Sequence, residues 1–207
     1  PDTDSMSLTK VRDLRYGENP HQRAAVYVEK GSAIPRHFHQ LHGKELSYNN
    51  ILDIEATLDM IKEFTAPAAC VIKHSNPCGV AEAKTLDKAL RDAVDSDPLS
   101  AFGGIVALNR PCTLTNAKTA FEKLGFFEVL IAPSFDKQAF RILSQKQNLR
   151  LIEISLDDVP PGTQDMKRVN GGILVQDRDE KIVTAADLKI VTKKKPTKAQ
   201  MQSLLFG

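Results

Sequence analysis

The chain has 207 residues, enough to bury a substantial core without requiring more than one domain. Its 28 basic and 26 acidic side chains leave a net charge of +2, which excludes an overall electrostatic footprint for nucleic acid but not a local pocket for a small anion. Three irregularly spaced cysteines, Cys70, Cys78 and Cys112, argue for a reducing compartment rather than a disulfide framework, and no apolar run has the length that spans a bilayer.

Residues 1–10 carry no charged-then-apolar secretory pattern, so the expected location is cytoplasmic, with no membrane or nucleic-acid partner. The segment Asp13-Leu14-Arg15-Tyr16-Gly17-Glu18-Asn19-Pro20-His21-Gln22 is polar and turn-rich and leads into a short strand over 24–28. An arginine beside a tyrosine can hold a phosphate by bidentate hydrogen bonds; an exposed loop is the plainer reading. His37, His39 and His42 crowd together, and helical spacing would put the last two on one face. No carboxylate or cysteine stands nearby at ligand spacing, so no metal is expected.

Ile51, Ile54, Leu58 and Ile61 mark the apolar face of a helix over 50–64, capped by Asn49 or Asn50, with Asp53 and Glu55 toward its positive end. Residues 68–72 read as a buried strand that ends in Lys73 and His74, followed by Asn76 and a Pro77-Cys78-Gly79 turn. A buried strand delivering two ionisable side chains to a turn is a candidate active site; a strand end reaching solvent is the alternative. Leu86, Ala89, Leu90, Ala93 and Val94 form a second amphipathic helix, capped by Thr85 and ended by Asp95-Ser96-Asp97-Pro98.

Ser100-Ala101-Phe102-Gly103-Gly104 runs into a strand over 105–108, and the paired glycines permit close approach of a ligand or of neighbouring chain. A helix starting at Thr115, a strand over 127–132 interrupted by Glu128, a helix over 136–145 and a strand over 149–154 come next. This alternation implies a largely parallel sheet covered on both faces, with ligands beyond the carboxyl ends of its strands, where Lys73 and His74 are predicted to lie. Residues 155–164 read as loop, 173–176 as the last strand, and Lys193-Lys194-Lys195 as a solvated linker. Thr197 starts a helix whose apolar Leu204-Leu205-Phe206 stands at the end of the sequence, so the chain is expected to have been cut from a longer one.

Five separated segments, taken together, resemble one family. Leu14-Arg15-Tyr16-Gly17-Glu18-Asn19-Pro20-His21-Gln22, Leu46-Ser47-Tyr48-Asn49-Asn50, Val71-Ile72-Lys73-His74 with Asn76-Pro77-Cys78-Gly79, Ser100-Ala101-Phe102-Gly103-Gly104-Ile105 and Val169-Asn170-Gly171-Gly172 are similar to the AICAR transformylase part of the bacterial bifunctional purine biosynthesis proteins. The resemblance implies formyl transfer from 10-formyltetrahydrofolate, as cosubstrate, to the 5-amino group of the nucleotide AICAR, giving FAICAR. It implies an α/β fold: a three-layer cytidine-deaminase-like sheet, mainly parallel, the first copy of a duplicated fold with active sites at a homodimer interface. On that reading residues 1–190 are the first half of the transformylase, and residues 191–207 are a linker and the start of the next region.

The resemblance assigns His74 as general base, a task suited to an imidazole near neutrality, and Lys73 as the group that stabilises charge on the formyl oxygen. Arg15 and Tyr16 become nucleotide contacts near the phosphate, and Gly103, Glu128 and Asn50 further contacts to the nucleotide; Cys78 is packing. Successive strand residues point to opposite faces, so Lys73 and His74 can serve one site only if the strand has broken by Lys73. The family's domain continues beyond this chain, and its upstream cyclohydrolase domain is absent, so little or no transformylase activity is expected from these residues alone. Two other classes compete. A zinc-dependent deaminase needs a second cysteine three residues after Cys78, where Ala81 stands, and a His-x-Glu that the sequence lacks. A non-catalytic nucleotide-binding or dimerisation module is the other.

Overall fold

A computed structural model describes residues 5–30, 39–154, 156, 164–179 and 181–207; His37 of the histidine cluster lies outside them. The chain divides into two compact units, Pro1–Val159 and Pro160–Gly207. The first opens with a hairpin of β1 (Leu8–Leu14) and β2 (Ala24–Glu29). It continues through β3 (Gln40–His42), α1 (Tyr48–Ile61), β4 (Ala68–Lys73), β5 (Asn76–Glu82), α2 (Leu86–Ser96), α3 (Pro98–Ala101), β6 (Ile105–Leu108), α4 (Leu114–Leu124), β7 (Val129–Ala132), α5 (Lys137–Leu143) and β8 (Arg150–Glu153). The second holds the hairpin β9 (Gln164–Val169) and β10 (Gly172–Asp177), followed by α6 (Lys198–Phe206).

Six strands of the first unit form one sheet in the order β3-β8-β7-β6-β4-β5. The short apolar runs of β4, β6, β7 and β8 alternate between two cores. Ala69, Val71, Val106, Leu108, Leu130, Ala132 and Leu151 join residues of α2, α4 and α5 on one face. Cys70, Ile72, Ile105, Ala107, Val129, Ile131 and Ile152 meet Ile54, Leu58 and Ile61 of α1 on the other. Burial on both faces is why these strands read as continuous apolar runs, and each fully buried isoleucine or leucine contributes about 1.5–3 kcal/mol.

The protein is thus mixed α/β with helices on both faces of a sheet, as expected, but the sheet is less parallel than expected. Only β6 with β7 and β7 with β8 are parallel; β4 runs antiparallel to β6 and to β5, and β3 antiparallel to β8. The expectation failed because the Pro77-Cys78-Gly79 segment is not a turn. It belongs to β5, which returns directly along β4 after a two-residue connection. Pro77 fits because β5 is the edge strand. The register slips between Val71 and Ile72, which face Gly79 and Pro77, so that Cys78 is the extra residue of a bulge.

Helix starts shifted for identifiable reasons. α1 is capped by Ser47, whose side chain accepts from the Asn50 amide at 3.1 Å while Asn50 Oδ1 accepts from the Ser47 amide at 3.1 Å. That reciprocal box moves the start ahead of the expected residue 50 and leaves Asp53 beyond the first turn. α4 starts from Thr113 rather than Thr115, and Thr85 caps α2 as expected. His42 is on a strand, not a helix, and its Nδ1 lies 2.9 Å from the Leu149 carbonyl oxygen. Among the described residues no helix is long and apolar enough to cross a membrane.

Gly79 marks the closest approach of β5 and α2, because a Cβ there would lie 1.8 Å from the Ala93 carbonyl oxygen. Gly79→Ala is therefore expected to lower unfolding free energy by about 1–3 kcal/mol through forced separation of strand and helix. Chemical denaturation checks this, and an unchanged midpoint would contradict the packing.

Candidate active site

The direction of β4 decides where the chemistry-bearing residues meet. Because β4 is antiparallel to β6, its carboxyl end lies beside the amino ends of the three strands that run parallel to one another. Ile72 is paired with Ile105, Ile105 with Val129, and Val129 with Arg150. Lys73 ends β4 and His74 lies just beyond it, so both stand at a carboxyl end, but the neighbouring residues enter from amino ends: Gly103 before β6, Glu128 before β7 and Arg150 opening β8.

A cavity of about 400 Å³ opens along this edge. Arg15, Tyr16, Asn50, Lys73, His74, Gly103 and Glu128, all seven residues singled out in the sequence, line it, and so do Lys44, Asp53 and Arg150. Arg15 and Tyr16 reach it from the loop after β1, with the Arg15 guanidinium 4.9 Å from the centre of the Tyr16 ring. Gly103 has φ +80°, a conformation only glycine adopts without strain, and its amide donates to the Phe126 carbonyl at 2.9 Å.

Lys73 is the last residue of β4 and still pairs with Asn76. Lys73 is therefore still part of the strand, which breaks at His74, one residue later than the expectation that it has broken by Lys73. Both side chains share the cavity because Lys73 sits at the sheet's end and His74 lies in a reversal, not because the strand has already broken. The Lys73 ammonium donates to the Phe102 carbonyl at 2.9 Å. His74 and Ser75, which make the reversal, have φ +53° and +58°. Two positive φ values in a two-residue connection suit the twist of a hairpin, but for non-glycine residues each costs about 1–2 kcal/mol. Asp53 of α1 spans the turn: its Oδ1 accepts from the Ser75 amide at 2.7 Å and its Oδ2 from the His74 amide at 3.2 Å.

Glu128 precedes β7 instead of interrupting it, and its side chain is 41% exposed, so no buried charge has to be compensated within the strand. Its position is fixed by partners: Asn50 Nδ2 donates to Oε2 at 2.8 Å, and Arg150 Nη1 lies 3.5 Å from the same oxygen. Arg150, whose side chain is only 13% exposed, also donates from Nε to the Glu45 carbonyl at 3.1 Å. Burial pulls its pKa below the usual guanidinium value; Glu128 and Tyr16 oppose that shift, and Arg15 adds to it.

Asp53, Lys44 and Arg150 went unrecognised in the sequence. Asp53 read as a helix-end charge, and nothing local marked Lys44 or Arg150. The spacing of 150 from 128 becomes meaningful only once β7 and β8 are known to be parallel neighbours in register.

The end of this mixed α/β sheet gathers an imidazole, two ammoniums, two guanidiniums and two carboxylates around one polar cavity, a set of groups with the chemistry to hold an anion and to move a proton. Comparison with known proteins makes the class specific. Residues 1–207 match the family model described as the AICARFT/IMPCHase bienzyme. The chain is 48% identical over 214 residues to the bifunctional purine biosynthesis protein PurH of Acetivibrio thermocellus, covering 100% of this chain and 41% of that protein. It is 48% identical over 212 residues to PurH of Persephonella marina, covering 100% and 40%, and 46% identical over 211 residues to PurH of Oceanobacillus iheyensis, covering 100% and 41%. The chain belongs to the AICARFT/IMPCHase bienzyme family and spans about two-fifths of the length of these relatives.

No cysteine is among the residues that line this cavity. Burial pushes the Cys70 thiol up to about 12, with a hydrogen bond from Ala107 opposing, and the Cys112 thiol up to about 12, with the Asp136 charge adding. Cys78 is also raised, first by burial, then by Asp97 and Asp53, against Lys73. Relative to an ordinary thiol near 8.5, the folded chain holds the Cys70 and Cys112 protons longer than the unfolded chain. Their contribution to stability is thus intact below about pH 8.5 and lost as pH rises toward 12. A thiol reagent at about pH 8 is expected to leave Cys70 and Cys112 unlabelled until the chain unfolds. Mass spectrometry checks this, and labelling of either in the folded protein would contradict it.

Proposed function

We propose that this chain supplies part of the site that transfers a formyl group from 10-formyltetrahydrofolate to the 5-amino group of AICAR. The products are FAICAR and tetrahydrofolate, in purine nucleotide synthesis. The observation that carries the proposal is the convergence of Arg15, Tyr16, Asn50, Lys73, His74, Gly103 and Glu128 on a single cavity. The relatives' description as bifunctional purine biosynthesis proteins supports the same reading.

The attacking amine is conjugated to an imidazole carboxamide and is a weak nucleophile, so its proton must leave as nitrogen bonds to the formyl carbon. His74 takes that proton. Lys73, with donors beyond the one given to Phe102, stabilises the negative charge that develops on the formyl oxygen. Collapse of that oxyanion expels tetrahydrofolate, whose nitrogen regains a proton. Arg15 and Tyr16 hold the nucleotide phosphate, while Glu128, oriented by Asn50 and Arg150, and the Gly103 backbone hold the rest of the nucleotide.

On this reading the sheet is one copy of a duplicated, cytidine-deaminase-like fold. Residues 1–190 belong to the transformylase, residues 191–207 lead into the region beyond, and the working enzyme is a cytoplasmic homodimer. No metal is expected from the residues of this chain.

Two measurements test the proposal. In calorimetry with AICAR, Arg15→Ala weakens binding about tenfold or more, the worth of a charge-assisted phosphate contact. His74→Ala keeps affinity within about threefold but lowers formyl transfer by the full gene product about 10²–10⁴-fold. Full turnover with His74→Ala would leave only a nucleotide-binding module. Separately, the purified 207-residue chain is expected to show little or no formyl transfer, because it spans about two-fifths of its relatives. Robust turnover by it in a formyl-transfer assay would overturn that expectation.

A further inference from the structure

The turn that carries His74 is improbable on its sequence. A two-residue hairpin connection with positive φ at both positions favours Asn-Gly, Asp-Gly or Gly-Gly, and here it is His74-Ser75, paired across by Lys73 and Asn76. Something outside the turn must hold it. Within it, Asn76 Nδ2 donates to the His74 carbonyl at 2.8 Å, which satisfies an oxygen but leaves the two amides to be accounted for. Both amides point at one group, the Asp53 carboxylate, with Ser75 Oγ a third and longer contact at 3.5 Å. Successive backbone amides converging on an anion form a concave nest, and a carboxylate offers two acceptor oxygens and no donor.

Helix placement explains Asp53 no better. It lies past the first turn of α1, where a carboxylate gains little from the helix dipole, and it faces β4's end instead. α1 is anchored along its buried stripe by Ile54, Leu58 and Ile61, so it is a firm base for a clamp. Lys73, in contrast, is tied to Phe102 and does not touch Asp53 in the hydrogen-bond pattern.

We infer that Asp53 is a positioning residue: its carboxylate holds the left-handed His74-Ser75 pair and so aims the His74 imidazole into the cavity. This rests on the formyl-transfer reading, in which His74 is the base. Although Asp53 lines the cavity, both of its carboxylate oxygens are engaged by the turn's amides, so its part is to place His74 rather than to react. Its loss releases the base while leaving the lysine in place, so proton removal fails before binding does.

The test separates clamp from catalysis. Asp53→Asn keeps the shape but presents a donor where an amide already donates. In the 207-residue chain it is expected to speed amide hydrogen exchange at His74 and Ser75 about tenfold or more, the loss of one charged hydrogen bond, while Leu130 and Ile131 in the sheet stay protected. In the full gene product it lowers kcat about tenfold or more with KM for AICAR changed less than about threefold, the pattern of a lost transition-state interaction. Adding Ser75→Gly, which takes positive φ without strain, restores most of that kcat. If Asp53→Asn does not fold, Asp53→Glu, which keeps the charge but displaces the oxygens, must raise the same two exchange rates. Unchanged exchange at His74 and Ser75 overturns the clamp. Lost protection with unchanged kcat, or no rescue by Ser75→Gly, overturns the positioning role. Wild-type product that cannot formylate AICAR overturns the functional reading alone, and the exchange measurement still decides the clamp.

Discussion

A sheet covered on both faces has no room for an unpaired charge along its strands, because ionised groups taken from water without partners cost far more than a hydrogen bond returns. In this protein β6 and β7 obey that constraint with wholly apolar side chains, and β4 and β8 keep their charges to their ends, at Lys73, Arg150 and Glu153, while their buried residues are sorted between two cores. Charge is thereby confined to strand ends and to the loops beside them. The antiparallel course of β4 then fixes which ends are neighbours. One reversed strand brings a carboxyl-terminal lysine and histidine up against glutamate and arginine at the amino ends of β7 and β8. Had β4 run parallel to β6, the two groups would stand at opposite edges of the sheet, a strand length apart.

The same constraint explains what could be read from sequence. The apolar runs, the helical stripe of Ile51, Ile54, Leu58 and Ile61 and the cap at Thr85 are local signals, and the structure follows them. Topology was less legible. Nothing within residues 76–82 announces a strand, since proline and glycine ordinarily break one, and here both are tolerated for tertiary reasons: an edge position for Pro77 and the nearness of Ala93 for Gly79. The hairpin of β9 and β10 has a turn pair, Asn170-Gly171, before the strand expected over 173–176, but the charged Lys167-Arg168 masked its first arm.

The candidate site divides along the same line. Its seven anticipated residues came from motifs whose members are close in sequence, apart from Glu128, and each lines the cavity. The residues that escaped notice act through partners distant in the chain. Asp53 meets an amide 22 positions away, and Arg150 meets Glu128 through strands that lie side by side. Motifs identify groups that do chemistry; the groups that aim them are legible only from three-dimensional neighbours.

The reciprocal hydrogen bonds at the start of α1 have a consequence for how this protein can change. Asn50 uses Oδ1 to close the helix cap and Nδ2 to hold Glu128, so a single amide serves two unrelated tasks with opposite ends of one planar group. Aspartate would keep the first and forfeit the second, leaving two carboxylates face to face, while serine or threonine is too short to span both. Position 50 is therefore pleiotropic: the stability of the helix start and the placement of Glu128 are coupled through it. Residue 50 is free to vary only where Ser47 or Glu128 changes with it, since each depends on one end of the same amide.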